Sequence, residues 1–166
     1  FTPEAGVYGS MRAVGCELIA ISAGQYFCFP GSYYQPSGYV YTDPYGREFT
    51  MSADGSLQSI RDLNGNQLTF TADGIYSNSS DNLHVTFVRD TQGRITQIID
   101  PLGQTYDYGY DGTGDLRTVD LPQVQQPTPH RDHISYEYYS GHYFKRATDP
   151  RGYQPVLSTY TSDGRL

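Results

Sequence analysis

The sequence predicts an all-β fold: stacked antiparallel β-hairpins forming a continuous twisted repeat sheet. Three observations lead there. Tyrosine, a residue that suits half-buried strands, occurs 17 times. Glycine-closed turns recur about every 10 residues through most of the chain, which leaves room for short strands and for no useful helix. The segments between turns alternate in polarity, as half-buried strands do.

The turns carry the first argument. Four read Asp43-Pro-Tyr-Gly46, Asp62-Leu-Asn-Gly65, Asp100-Pro-Leu-Gly103 and Asp149-Pro-Arg-Gly152. A second kind comes after an aromatic or Met and ends in Gly with an apolar residue one or two places on, closing at Gly55, Gly74, Gly93, Gly114 and Gly164. Asp90 and Asp111 open two of these. Asp starts a turn by accepting the backbone N–H two residues on, Pro presets φ, and Gly supplies a positive φ at the end. The interval from Gly74 to Gly93 is double the usual one, so a turn lacking glycine is expected at 78–82. Two strands then make one repeat of about 20 residues.

The strands come next. Tyr106, Tyr108 and Tyr110 alternate onto one face, as do Ile134, Tyr136 and Tyr138. Leu68 with Phe70 and Val85 with Phe87 obey the same rule. Ile95, Ile98 and Ile99 do not alternate, so a bulge or burial on both faces is expected there. The tyrosine rows read as the inner lining and cross-strand ladders of the sheet.

Two segments interrupt the pattern. Residues 1–38 lack the Asp-x-x-Gly turns and hold both cysteines; they read as an irregular leading segment capping the repeats of 39–166. Residues 121–132 read as a Pro/Gln-rich insertion between two strands. Cys16 and Cys28 are a disulfide candidate in an oxidising compartment, with two separate buried thiols as the alternative.

These residues resemble a known family. Gly103-Gln-Thr-Tyr106-Asp-Tyr108-Gly-Tyr110-Asp111-Gly-Thr-Gly114-Asp-Leu116 is similar to the YD repeat of RHS/YD-repeat proteins. Phe87-Val-Arg-Asp90-Thr-Gln-Gly93-Arg94-Ile95 and Tyr160-Thr-Ser-Asp163-Gly164-Arg165-Leu166 resemble further copies, and the Asp-Pro-x-Gly turns at 100 and 149 resemble the RHS half-repeat. The resemblance implies a secreted or cell-surface bacterial protein whose sheet spirals into a shell, as in RHS and insecticidal toxin proteins, or a barrel, as in animal teneurins. About five or six repeats are too few to close a shell alone. The partners implied are adjoining repeats of the same polypeptide or other copies of the chain. A glycan or surface receptor that binds exposed tyrosines is the second reading.

Composition bounds the rest. The net charge is −7, and the 11 basic residues are scattered, which argues against a nucleic-acid groove. No stretch approaches the ~20 apolar residues of a membrane helix. The start at Phe1, with no basic-then-apolar leader, reads as a mature or excised piece of a longer chain.

Nothing points to catalysis, a metal or another cofactor. There is no Gly-x-Ser-x-Gly, and Glu4, Glu17, Glu48 and Glu137 are far apart. His130-x-x-His133 beside Asp132 lacks a third ligand and reads as loop histidines. Asp111-Gly-Thr-Gly-Asp115 lacks the downstream Glu of a calcium loop and reads as a turn. Asn78-Ser79-Ser80 has the form of a glycosylation sequon but reads as an unmodified polar turn.

Overall fold

The computed structural model describes residues 6, 8–15, 17–23, 25–29, 36–125 and 130–166. The chain divides into two compact units, Phe1–His84 and Val85–Leu166. The described residues form 15 strands and no helix, so none crosses a membrane as an apolar helix.

In the first unit, β1 (Ser10–Val14), β4 (Gly38–Thr42), β5 (Glu48–Ser52), β6 (Leu57–Arg61), β7 (Gln67–Thr71) and β8 (Gly74–Ser77) pair antiparallel in that order. β2 (Glu17–Ser22) and β3 (Gln25–Phe29) form a separate two-stranded sheet. Among its described residues, the leading segment contributes β1 to the repeat sheet and the separate pair β2–β3. Cys28, on β3, is buried and disulfide-bonded. The other member of the expected pair, Cys16, lies outside the described residues.

The second unit runs from β9 (His84–Arg89), whose first residue belongs to the first unit, through β10 (Ile95–Ile99), β11 (Thr105–Tyr110), β12 (Leu116–Asp120), β13 (His133–Tyr139), β14 (Tyr143–Thr148) and β15 (Val156–Leu157). Each strand pairs antiparallel with the next in the chain. Sequence neighbours are thus spatial neighbours, the arrangement of a quasi-one-dimensional repeat.

The turns arise from local chemistry. At Asp43, Asp62, Asp90, Asp100, Asp111 and Asp149, the aspartate carbonyl accepts the N–H of the closing glycine at 2.9–3.1 Å. The glycines at 46, 65, 93, 103, 114 and 152 hold φ between 78° and 94°, the left-handed region. Gly112 and Gly114 share one turn, and only Gly114 has positive φ. A Cβ at Gly112 meets nothing within 4 Å, and one at Gly114 makes ordinary contact, 3.6 Å from the Arg94 guanidinium. Gly114→Ala is therefore expected to cost about 1–2 kcal/mol through backbone conformation alone, while Gly112→Ala stays near neutral. Thermal melts of the two variants check this; equal melting temperatures would remove the conformational argument.

One expected closing glycine behaves differently. Gly74 is the first residue of β8 and pairs with Thr71, so that hairpin turns through Ala72 and Asp73 alone. The turn expected without glycine is present at 78–82, where Asn82 takes φ 51° in glycine's place. Asn tolerates the left-handed region better than most residues because its short side chain bonds locally.

The two kinds of turn differ in the pairing of their strands. Hairpins over Asp43, Asp62 and Asp100 pair in unbroken register. Those closed by Gly55, Gly93 and Gly114 carry a bulge three residues after the glycine, at Gln58, Thr96 and Arg117. The extra residue places Leu57 with Ile60, Ile95 with Ile98, and Leu116 with Val119 on one face, although each pair is three apart. This accounts for the isoleucines that break alternation, with Ile99 left on the opposite face.

The sheet of the second unit has two unlike faces. One carries the cross-strand rows Phe87–Ile98–Tyr106 and Tyr108–Val119–Ile134, then Tyr138–Phe144. The other carries Gln97–Asp107–Asp120–His133 and Gly109–Thr118–Ser135–Thr148. Among the described residues, the buried apolar side chains are Cys28, Val40 and Val119. The aromatic rows are half-buried, so cohesion comes from cross-strand pairs and turn hydrogen bonds more than from a deep core.

The 121–132 insertion is more than a loop. Val124 and His130 form an antiparallel bridge, and Leu121 donates its N–H to the Asp132 carbonyl at 2.7 Å. Arg131 fastens it: Nε donates to the Leu121 carbonyl and Nη2 to the Thr105 carbonyl, each at 2.9 Å, while Nη1 pairs with the Asp107 carboxylate. Arg131→Met should release this strap. Thermolysin cleavage within 121–132 is then expected to quicken several-fold while far-UV circular dichroism stays unchanged; an unchanged cleavage rate would show that Arg131 does not hold the segment.

Candidate functional site

The sequence-selected residues are turn and ladder residues, and the structure gathers them into rows of adjacent turns. In the Asp-led turns, one carboxylate oxygen accepts two backbone N–H bonds, from the residues two and four ahead. Asp90 Oδ1 accepts from Gln92 and Arg94 at 2.9 and 3.0 Å, and Asp100 Oδ1 from Leu102 and Gln104 at 2.9 and 2.8 Å. Asp43, Asp62, Asp111 and Asp149 repeat the pattern. Asp90 and Asp111 therefore share their turn chemistry with the Asp-Pro-x-Gly group, and the bulge is what separates the two kinds.

The second oxygen is often engaged by the residue after the glycine. Arg47 Nε donates to Asp43 Oδ2 at 2.7 Å, Asn66 Nδ2 to Asp62 Oδ2 at 2.7 Å, and Arg94 Nε to Asp90 Oδ2 at 2.8 Å. For Asp43 and Asp90 burial alone would raise the pKa, but amide and guanidinium hydrogen bonds outweigh it and hold both below the ordinary aspartate value. The Asn66 amide lowers Asp62, the Thr113 hydroxyl lowers Asp111 and the Arg151 guanidinium lowers Asp149, each helped by backbone amides.

Contacts between turns join the repeats. In the second unit the Arg94 guanidinium lies 4.3 Å from the Tyr110 ring centre, and the Tyr110 hydroxyl donates to the Ile95 carbonyl at 2.8 Å. The next link runs from Asp115 Oδ1 to His142 Nδ1, 2.8 Å apart, with His142 at φ 66°. Tyr143 then meets Tyr160, ring centres 5.1 Å apart, and its hydroxyl reaches to within 2.8 Å of where a Cβ at Gly164 would stand. In the first unit, Leu63 packs against Gly46, and Asn78 reaches back to donate to the Gly65 carbonyl at 2.9 Å and accept from the Gln67 N–H at 2.8 Å. The sequon nitrogen of Asn78 is thus engaged in a backbone bond.

Tyr106, Tyr108, Tyr110, Tyr136 and Tyr138 stand in cross-strand pairs. Tyr108 and Tyr138 have raised pKa values, first from burial and then from neighbouring tyrosines and carboxylates. Tyr139, Tyr143 and Tyr160 differ, lining a recess of ≈ 380 Å³ with the 159–164 segment. A second recess of ≈ 510 Å³ lies between the 111–115 and 140–142 turns. His130 Nε2 stands 3.7 Å from Asp132 Oδ1, and among the described residues no trio of His, Cys, Asp or Glu is placed to hold a metal ion. Asp111 spends one oxygen on its own turn and Asp115 pairs with His142, as turn residues would.

Sequence reasoning gave no linking role to the side chains of Arg94, His142, Asn78 and Arg131. The first had a readable signal: Arg comes directly after the closing glycine at 47, 94 and 165. The others act over 10 to 27 residues of chain.

Residues 89–123 match the family model described as RHS Repeat. They span β10, β11 and β12 with the turns at Asp90, Asp100 and Asp111. No curated protein matches the chain. Over that stretch the chain is similar to RHS repeats, which belong to a family of structural repeat proteins.

Proposed function

We propose that this RHS-repeat chain is a non-catalytic structural segment of a secreted or surface protein. It forms part of a shell wall, or of an extracellular fibre by strand-to-strand continuation between units. The observation behind this reading is the row of linked turns: Arg94 to Tyr110, Asp115 to His142, Tyr143 to Tyr160. Each link joins one hairpin to the next, so the design extends by repetition. The chemistry of the candidate residues is spent on holding turns rather than on presenting a reactive group.

The flanking strands fit the same reading. Among the described residues, β1 pairs with β4 on one side and β15 with β14 on one side. An unpartnered strand edge presents N–H and C=O groups to another chain or another repeat, and a head-to-tail contact that does not close gives a filament. Light scattering after size exclusion, with negative-stain microscopy, tests the fibre form. Concentration-dependent assemblies are expected; a stable monomer at every concentration would sink it and leave the wall segment.

A further inference from the structure

We infer that Tyr143 and Tyr160 form a site for oxidative coupling into a dityrosine link, a covalent staple between the last turn and the β13–β14 hairpin. Their ring centres are 5.1 Å apart and the planes are tilted by 55°, which brings ring edges closer than the centres. Coupling joins carbons that flank the hydroxyl, and on Tyr143 both of these border glycines. Cε1 lies 3.4 Å from where a Cβ at Gly164 would stand, and Cε2 lies 3.3 Å from the same point at Gly141. Glycine at both positions keeps those carbons clear of a side chain there. Tyr143 is 45% exposed and lines the recess of ≈ 380 Å³ with Tyr160, so a small oxidant reaches the pair from solvent.

Other tyrosines of this unit are placed against coupling. Across the strands Tyr106 faces Ile98, Tyr108 faces Val119, Tyr136 faces Ala147 and Tyr138 faces Phe144. Tyr139 does stand opposite Tyr143, and its ring meets Tyr160 edge-on at 6.3 Å. Its hydroxyl donates to the Ser158 carbonyl at 3.5 Å, and the Lys145 ammonium lies 5.6 Å from its ring centre. A cation over the ring stabilises the electron-rich phenol and opposes removal of an electron. The pair that couples is therefore Tyr143 with Tyr160.

The step balances as follows. Each tyrosine gives up one electron and its phenolic proton and becomes a phenoxyl radical. A C–C bond forms between the two ortho carbons; the hydrogen on each then leaves as a proton, and each oxygen regains one. The net loss is two electrons and two protons, which a haem peroxidase passes to hydrogen peroxide, giving two waters. Rings already held together couple faster than rings on separate chains. The disulfide at Cys28 fits a chain that meets oxidants. The link goes beyond the structural proposal and does not need it, since a chain that never assembles can still form it.

The test treats the full chain, at a concentration where it is monomeric, with haem peroxidase and hydrogen peroxide, and recovers the monomer by size exclusion. Blue dityrosine fluorescence is expected in that fraction. Tryptic mapping should join the peptide holding Tyr143 to the one holding Tyr160, lighter than their sum by two hydrogens, with fragmentation placing the bond on those two rings. Tyr160→Phe and Tyr143→Phe should each cut the monomer fluorescence several-fold. Tyr139→Phe should keep it, as should Tyr153→Phe, which removes the exposed tyrosine on the same tryptic peptide as Tyr160. Mapping of the unsubstituted chain decides the matter even where a variant misfolds. A monomer without the link, a link mapped to Tyr139 or Tyr153, or fluorescence undiminished in Tyr160→Phe overturns the inference.

Discussion

Val119→Asp is expected to unfold residues 85–166, whereas Val88→Asp leaves them folded. Val119 is 8% exposed and stands between Tyr108 and Ile134 in the apolar row. Removing its side chain forfeits about 1.5–3 kcal/mol of burial. The new carboxylate has no cationic partner across either strand, and an uncompensated buried charge costs roughly 3–5 kcal/mol more. Against a domain stability of about 5–15 kcal/mol, that sum removes most or all of the margin. Val88 is 42% exposed and pairs with Gln97 on the polar face, where a carboxylate stays hydrated. Near-UV circular dichroism of the tyrosines reads the outcome. A Val119→Asp protein that melts within a few degrees of the parent would mean the apolar row is not what holds the sheet.

Acid is expected to melt the repeats through their turns. Asp43, Asp54, Asp62, Asp73, Asp90, Asp107, Asp111, Asp149 and Glu137 all have pKa values below their ordinary ones. The folded state therefore favours their charged forms. A depressed folded value means the stabilisation is complete above the unfolded pKa, about 4, and is lost as pH falls through the folded values. The melting temperature should hold nearly level from pH 8 to about 5 and fall steeply below about 4. The slope should be shallower in an Asp43→Asn, Asp90→Asn double variant, which lacks two of the titrating groups. A melting temperature that stays flat down to about pH 2.5 would show that the turn carboxylates do not couple to folding.

How much of this was legible in the sequence depended on the reach of the interaction. The Asp-x-x-Gly turns were readable because their physics is contained within five residues: two amides, one carboxylate and one glycine. Gly74 was misplaced because the turn through Ala72 and Asp73 runs without a positive φ at either residue or at Gly74, and composition does not separate it from the longer type. The bulge at Thr96 was half legible: the isoleucines broke alternation, but only the register shows the extra residue at the same offset after three glycines. The Arg131 strap and the Asp115–His142 link left no local trace, because each joins residues more than 20 apart in the chain. The tyrosine-lined recess was hidden for the same reason, since Tyr160 lies beyond the next turn from Tyr139 and Tyr143.

The bulge also bears on how such a chain can change its length. Strand side chains alternate with period 2, so losing one residue exchanges the faces of every later residue up to the next turn. The residue at Gln58, Thr96 or Arg117 is an odd count written into the pattern, and its deletion would set Ile60, Ile98 or Val119 on the polar side. Duplication or loss of a whole two-strand unit carries its own odd residue with it and leaves every other strand facing as before. Gene rearrangements that copy or drop entire hairpins are therefore tolerable to this architecture, while single-codon deletions within a strand are not.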